Sequence, residues 1–241
     1  MIPDGFKRIT MRVLLVLPTL DEEAGLASVL HRLLEDARFD AFDLVVVDGR
    51  STDGTVAVAA AFGVEVVLQH GQGKGAAFRT AVKIFLAGTW DALAMIDADG
   101  SYLPEALLSM VPLLKEETLV VGDRLGGMLE EGAMSRLNLL GNIALSGAAS
   151  ILNGTDAVDV CSGCWVMRRD LVQDLRLNST GFEIEAEIFS ASIAAGHRPR
   201  WVPIRYERRR GTAKLTSVFD GLRILRKLAV RRLLVATKTR L

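Results

Sequence analysis

The chain has 241 residues, half of them hydrophobic and 24% charged. That length and apolar content support a sizeable packed core, in one large domain or two small ones, and exclude a chain that stays disordered. With 29 basic and 29 acidic residues the net charge is zero, so no excess points to nucleic acid; the two cysteines form no disulfide framework and fit a reducing cytoplasm.

The apolar run near the N-terminus stops at Pro18 and passes into Asp21-Glu22-Glu23. It reads as a first core strand and not as a signal peptide. That strand covers 12–18 (RVLLVLP), and helical spacing follows over 22–37. The alternation continues with a strand at 43–48, a helix at 53–63 closed by Gly63, a strand at 64–69, a helix at 75–88 and a strand at 91–97. Strands so continuously apolar are expected to be covered on both faces, which predicts an α/β fold with a mostly parallel sheet flanked by helices. After about residue 115 the pattern changes. A short strand at 118–124 precedes a Gly-, Ala- and Ser-rich helix at 133–154. Then come a strand at 164–170 running into a turn, a helix at 181–196, a strand at 198–209 and an amphipathic helix at 216–235. No repeat or linker interrupts the chain. One domain is expected, with a first half over about 12–123 and an elaborated C-terminal half over about 124–241. No stretch approaches the ~20 consecutive apolar residues of a spanning helix, so an integral membrane protein is not expected.

In doubly wound sheets, ligands bind beyond the carboxyl ends of the strands. The polar residues gather there: Pro18 to Glu22 after the first strand, Asp48 at the end of the second, HGQGKG (70–75) after the third, and Asp97 and Asp99 after the fourth. Asp97 and Asp99 point the same way in a two-residue period, and two like charges so placed call for a cation. Mg2+ or Mn2+ fits, because hard cations take carboxylate oxygens and fill their remaining positions with water and substrate phosphates. The loop VVVDGRSTDGT (45–55) offers acceptors for a ribose or base through Asp48, while Thr52 or Asp53 caps the next helix. GQGKG supplies glycines for close approach to a ligand and the cation Lys74, but it lacks the spacing of either the ATP-type phosphate loop or the dinucleotide fingerprint.

PTLDEE, VVVDGRSTDGT, GKGAA, DADGSYLPE and VVGDR, in this order, resemble family 2 glycosyltransferases of the GT-A fold. DVCSGCWVMRR, GFEIEAEI and VPIRYERRRGTAKL are similar to the polyprenol-phosphate (dolichol-phosphate) mannosyl- and glucosyltransferase branch, so the resemblance covers roughly residues 12–225. It implies donor contacts from Pro18, Leu20, Glu22, Asp48, Lys74, Asp97, Ala98, Asp99, Arg124, Arg208 and Lys214. The metal set it implies is Asp97, Asp99 and Ser101. Asp99, Arg124 and Lys214 are the expected catalytic groups, and Ser162, Glu183 and Glu185 are expected on the acceptor side. The chain departs from the pattern at Gly49-Arg50, where many members read Asp-Gly, and at Asp123, where many have Ser.

The expected reaction is inverting transfer of a hexose, glucose or mannose, from a UDP-glucose- or GDP-mannose-type donor to a polyprenyl or dolichyl phosphate. Charge develops on the departing diphosphate, where a cation on Asp97 and Asp99, with Lys74, Arg124, Arg208 and Lys214, would stabilise it. A lipid phosphate is already an anion and needs no base; an alcohol acceptor would make Glu183, Glu185 or Asp159 a base candidate. From Arg205 onward twelve Lys or Arg stand against only Glu207 and Asp220, and Leu222, Leu225 and Leu228 recur at helical spacing. Such a helix can lie on anionic lipid, giving a cytoplasmic protein held peripherally at the inner membrane face. Cys161 and Cys164 read as small residues of the acceptor-side loop, since no second metal-ligand pair accompanies them. The rival readings are a soluble acceptor, a sugar-phosphate nucleotidyltransferase and a non-catalytic nucleotide-sugar-binding module.

Overall fold

The computed structural model describes residues 9–211 and 217–238. Seven strands form one sheet in the order β3-β2-β1-β4-β6-β5-β7. They are β1 (Val13–Thr19), β2 (Phe42–Asp48), β3 (Glu65–Leu68), β4 (Ala92–Met95), β5 (Leu119–Leu129), β6 (Trp165–Arg168) and β7 (Arg200–Tyr206). The helices are α1 (Glu23–Leu34), α2 (Thr55–Ala61), α3 (Lys74–Ala87), α4 (Glu105–Met110), α5 (Arg136–Asn153), α6 (Arg169–Asp174), α7 (Ile184–Ala194) and α8 (Ser217–Lys238). Strands β1 to β4 pair in parallel, β6 runs antiparallel to both its neighbours, and β5 and β7 are again parallel.

The unbroken apolar run of β1 follows from its central place. Leu14 and Val16 enter one core cluster with Phe78, Phe85, Ile188 and Phe189 of α3 and α7. Val13, Leu15 and Leu17 enter the opposite one with Leu26, Val29 and Leu30 of α1. Successive side chains thus serve two layers of helices. Each fully buried side chain of this size contributes about 1.5–3 kcal/mol.

Three elements differ from the sequence reading. β3 is an edge strand, with Glu65 and Leu68 exposed rather than covered on both faces. β5 is longer than expected because it continues through an irregularity between Asp123 and Met128 to pair again with β7. Asp123 accepts the amide of Gly126 across that bend (2.8 Å), and the space a Gly126 side chain would need is filled by the Asp123 carboxylate. The turn expected after β6 is the helix α6. Its first residue, Arg169, donates to the carbonyls of Phe85, Gly88 and Trp90, tying it to the carboxyl end of α3.

The last helix, α8, packs on α5 and α7. Leu228, read from sequence as part of an exposed stripe with Leu222 and Leu225, is buried in the core with Ile224, while Leu222 and Leu225 face outward. Among the described residues no helix is long and apolar enough to cross a membrane.

Candidate active site

The ends of β1 and β2 are in register at Thr19 and Asp48. Asp48 is fully buried. Its Oδ1 accepts the hydroxyls of Thr19 and Ser51, and its Oδ2 accepts the amides of Arg50 and Ser51 (2.8 and 2.9 Å). The carboxylate holds its own loop in shape, with Arg50 in the left-handed region at φ 69°. Of the two proposed caps, Asp53 accepts the amide of Thr55 at the start of α2, whereas Thr52 donates to Asp21. Pro18 is half-buried and Leu20 is exposed beside them.

The glycines of GQGKG accommodate protein backbone. Gly73, at φ 84°, and Gly75 lie so close to the carbonyls of Thr180 and Ser179 that a Cβ would sit 2.4 and 2.5 Å from them. Gly75 also donates to Thr180 (2.8 Å). This approach delivers Lys74, the first residue of α3, into a buried position between two carboxylates. Its Nζ is 2.6 Å from Asp97 Oδ1 and 2.6 Å from Glu185 Oε1 of α7. Burial disfavours the ammonium, but Asp97 and Glu185 outweigh it and raise its pKa above the ordinary lysine value. Burial also raises the Glu185 carboxyl, against the pull of Lys74.

Asp97, Ala98 and Asp99 follow β4 in a turn packed from two sides. Gly25 of α1 lies against the Ala98 carbonyl, and Gly163 lies against the Asp97 carboxylate. Tyr102 fixes the second contact by accepting the Gly163 amide at its hydroxyl (2.6 Å). Asp99 is almost fully buried. Its Oδ1 accepts the amide and hydroxyl of Ser101 (2.9 and 2.5 Å), so Ser101 acts on Asp99 directly. Its Oδ2 is 2.8 Å from a guanidinium nitrogen of Arg209, which also donates to Glu22 (3.3 Å).

Arg208, singled out from sequence with Lys214, lies elsewhere. Its amide donates to Glu130 Oε2 (2.8 Å) and its Nε to the Glu131 carbonyl (2.6 Å). Lys214 falls outside the described residues. Arg209, which the sequence reading passed over, reaches Asp99 instead. Residues 206–210 run antiparallel to 99–102, held by the Tyr102–Tyr206 bridge and by Glu207 and Arg210 amides donating to Ser101 and Asp99 carbonyls. Neighbours on such extended backbone point to opposite sides.

The three acids read from sequence as base candidates are engaged. Asp159, fully buried, takes the Arg124 guanidinium in a two-point pair (2.7 and 2.7 Å) and its amide (2.9 Å). Arg124 also lies over the Tyr206 ring. Burial opposes the Arg124 charge, but Asp159 holds its pKa above the usual arginine value. Glu183 accepts the amides of Thr180 and Gly181 (both 3.2 Å); burial pushes its carboxyl up, and its own backbone amide together with these two brings it below the ordinary range. Ser162 is buried, with its hydroxyl on the Cys164 amide and its carbonyl on the Trp165 indole. Both cysteines are free, and burial pushes the Cys161 thiol up to about 12.

Asp97 and Asp99 fit a divalent cation as a two-carboxylate donor set. Among the described residues no group of three or more His, Cys, Asp or Glu could hold a metal. The remaining ligands would therefore come from water and phosphate oxygens, the habit of Mg2+ and of similarly hard ions.

The sheet carries acids and cations together at the carboxyl ends of β1, β2 and β4, where ligands bind in doubly wound α/β folds. The chain belongs to glycosyl transferase family 2, whose profile matches residues 14–176. It is 34% identical over 213 residues to the dolichyl-phosphate hexose transferase of Haloferax volcanii, covering 87% of this chain and 89% of that one. It is 31% identical over 223 residues to the undecaprenyl-phosphate mannosyltransferase of Micrococcus luteus, with 88% and 90% covered. Against glycosyltransferase AglJ of Haloferax volcanii the identity is 36%, over 80% of this chain, which spans only 62% of that relative's length. In fold it matches glucosyl-3-phosphoglycerate synthase of Mycobacterium tuberculosis, solved with Mn2+, UDP-glucose and phosphoglyceric acid. There the TM-score is 0.72 at 21% identity, covering 92% of this chain and 80% of that one. The seven-stranded sheet is of the GT-A kind.

Proposed function

We propose that this chain is a metal-dependent, inverting hexosyltransferase that moves glucose or mannose from a nucleotide sugar to a polyprenyl phosphate. In this reading the first half of the chain holds the donor and the second half faces the acceptor. The observation that carries it is the state of the three candidate bases. Asp159 is closed against Arg124, Glu185 against Lys74, and Glu183 against the amides of its own turn. An alcohol acceptor needs a base to take its proton; a phosphate monoester is already an anion and needs none. The relatives named for dolichyl and undecaprenyl phosphate support the same acceptor class.

Asp97 and Asp99 would hold the divalent cation, which supplies charge stabilisation to the departing diphosphate. Lys74 orients the Asp97 carboxylate, and Ser101 does the same for Asp99. Asp48 shapes the loop over which the nucleoside lies, and the exposed Leu20 offers it an apolar surface. Catalysis then rests on positioning and preorganised charge.

The acceptor class also accounts for the outer faces of α5 and α8. Phe219, Leu222 and Leu225 are exposed beside Arg223 and Arg226, and α5 exposes Leu137, Leu140 and Ile143. This is a surface suited to anionic lipid. The test is incubation with Mn2+ and radiolabelled UDP-glucose or GDP-mannose, with and without polyprenyl phosphate. The expected result is chloroform-extractable label that requires the lipid. Label only in a water-soluble product, or pyrophosphate release from a nucleoside triphosphate and a sugar phosphate, would overturn the reading.

A further inference from the structure

We propose that Arg209 is a resident counter-cation of the metal site, seated on Asp99 in the metal-free protein and displaced from it when the divalent ion arrives. The inference rests on the two-carboxylate metal reading above. Asp99 has both oxygens engaged, Oδ1 by Ser101 and Oδ2 by Arg209 at 2.8 Å. The Ser101 contacts are local and shape the turn; the Arg209 contact reaches across the site. A cation that takes Asp99 Oδ2 as ligand meets this guanidinium first.

Three observations make Arg209 the exchangeable partner. Its backbone neighbours are fixed, since Glu207 and Arg210 donate to Ser101 and Asp99 carbonyls, so the side chain can move while the strand extension stays. The Arg209 side chain is 30% exposed, so solvent reaches it, unlike the closed Arg124–Asp159 pair at 8% and 0%. Its buried Nε has no hydrogen-bond partner among the described residues, so the seat on Asp99 and Glu22 leaves the fork incompletely satisfied. Once displaced, the same planar fork is free to complete its bonds on a diphosphate. Metal arrival and delivery of a guanidinium to phosphate become one event.

The test compares the wild type with Arg209→Gln in Mn2+ alone, without nucleotide, reading bound Mn2+ by electron paramagnetic resonance and the fold by circular dichroism. Arg209→Gln should bind Mn2+ at least about fivefold more tightly, because the ion no longer competes with a guanidinium for Asp99 Oδ2. Unchanged or weaker Mn2+ binding overturns the proposal. Loss of a nearby positive charge could by itself tighten binding, so a second measurement isolates displacement. In wild-type protein with labelled arginine, the restricted rotation of the Arg209 guanidinium should become fast on adding Mg2+ alone. Tighter Mn2+ binding in the variant with Arg209 still restrained in the wild type also overturns it. No Mn2+ binding in either protein sinks the metal reading itself, and this inference with it.

Discussion

Two neighbouring regions of the sheet handle buried charge in opposite ways. On the side proposed for the acceptor, Arg124 and Asp159 meet in a two-point pair that is closed and almost wholly buried. On the side proposed for the donor, Asp97 and Asp99 meet cations that come from other elements, Lys74 at the head of α3 and Arg209 beyond β7, and each of these cations is shared with a second carboxylate, Glu185 or Glu22. A closed pair has little to offer a ligand, because separating it exposes two desolvated charges at once. A chain of shared charges can be re-partitioned when a divalent ion or a diphosphate enters. The contrast separates charge closed into the fold from charge left open to exchange, and the second kind gathers at the ends of β1 and β4, the site proposed for the chemistry.

The largest expected effect is on turnover. Asp99→Asn should lower glycosyl transfer by roughly 10^2- to 10^3-fold, the scale of removing one preorganised charge-stabilising group. An Asn oxygen can still accept from the Ser101 amide and hydroxyl, so the turn should hold and the circular dichroism spectrum should not change. Residual activity above a tenth of wild type in this assay would break the contrast on its donor side.

Arg124→Met should have its main effect on stability. It leaves Asp159 buried and unpaired, at a cost of about 3–5 kcal/mol, read as a lowered urea midpoint. The double variant Arg124→Met with Asp159→Leu should recover part of that loss, because two apolar groups can replace a closed pair. A single variant of normal stability and abolished transfer would instead make Arg124 a phosphate ligand, as the sequence resemblance implies.

A smaller effect is expected at Glu187, a fully buried acid of α7. It accepts the amides of Asn178 and Ser179 and lies 3.5 and 3.2 Å from Lys227 and Arg231 of α8. Two of the basic residues that seemed from sequence to belong to a lipid-facing tail therefore fasten α8 to α7. Glu187→Gln keeps an oxygen for the amides and loses the charge, so about 1–3 kcal/mol should go, with faster hydrogen exchange confined first to α8.

Much of the donor side was legible because its signals are local. The apolar runs of β1, β2 and β4 and the acids at their ends lie within single stretches of chain, and the fold joins them as the strand–helix alternation required. What sequence could not supply was the partner of each charge. Arg208 and Arg209 are adjacent, and which one faces Asp99 depends on how residues 206–210 register on 99–102. Asp159 looked like a spare acid because Arg124 is 35 residues away in the chain. The glycines around Lys74 announced a close approach, but only the fold shows that what approaches is the backbone of Ser179 and Thr180. The signal that could have found Arg209 was the run of three arginines itself, which on extended backbone must send at least one side chain to each side.

The smallest expected effect on stability separates the two faces of α8. Leu222 and Leu225 are exposed, whereas Leu228 on the same helix is fully buried beside Ile224 in the core. Changing Leu222 and Leu225 together to Gln should shift stability by no more than about 0.5 kcal/mol each, because neither leaves a cavity. Leu228→Gln should cost several-fold more, since it places an amide among apolar neighbours. If the outer face meets lipid, the double change should also weaken binding to vesicles containing anionic phospholipid by about tenfold or more, the transfer free energy of two partly inserted side chains. Arg223 and Arg226 would add an electrostatic part that added salt removes and the leucine changes leave intact. Vesicle binding that vanishes in salt but ignores the leucines would reduce the face to a charged surface; binding that ignores both would leave α8 as a helix whose only task is to close the core over α5 and α7.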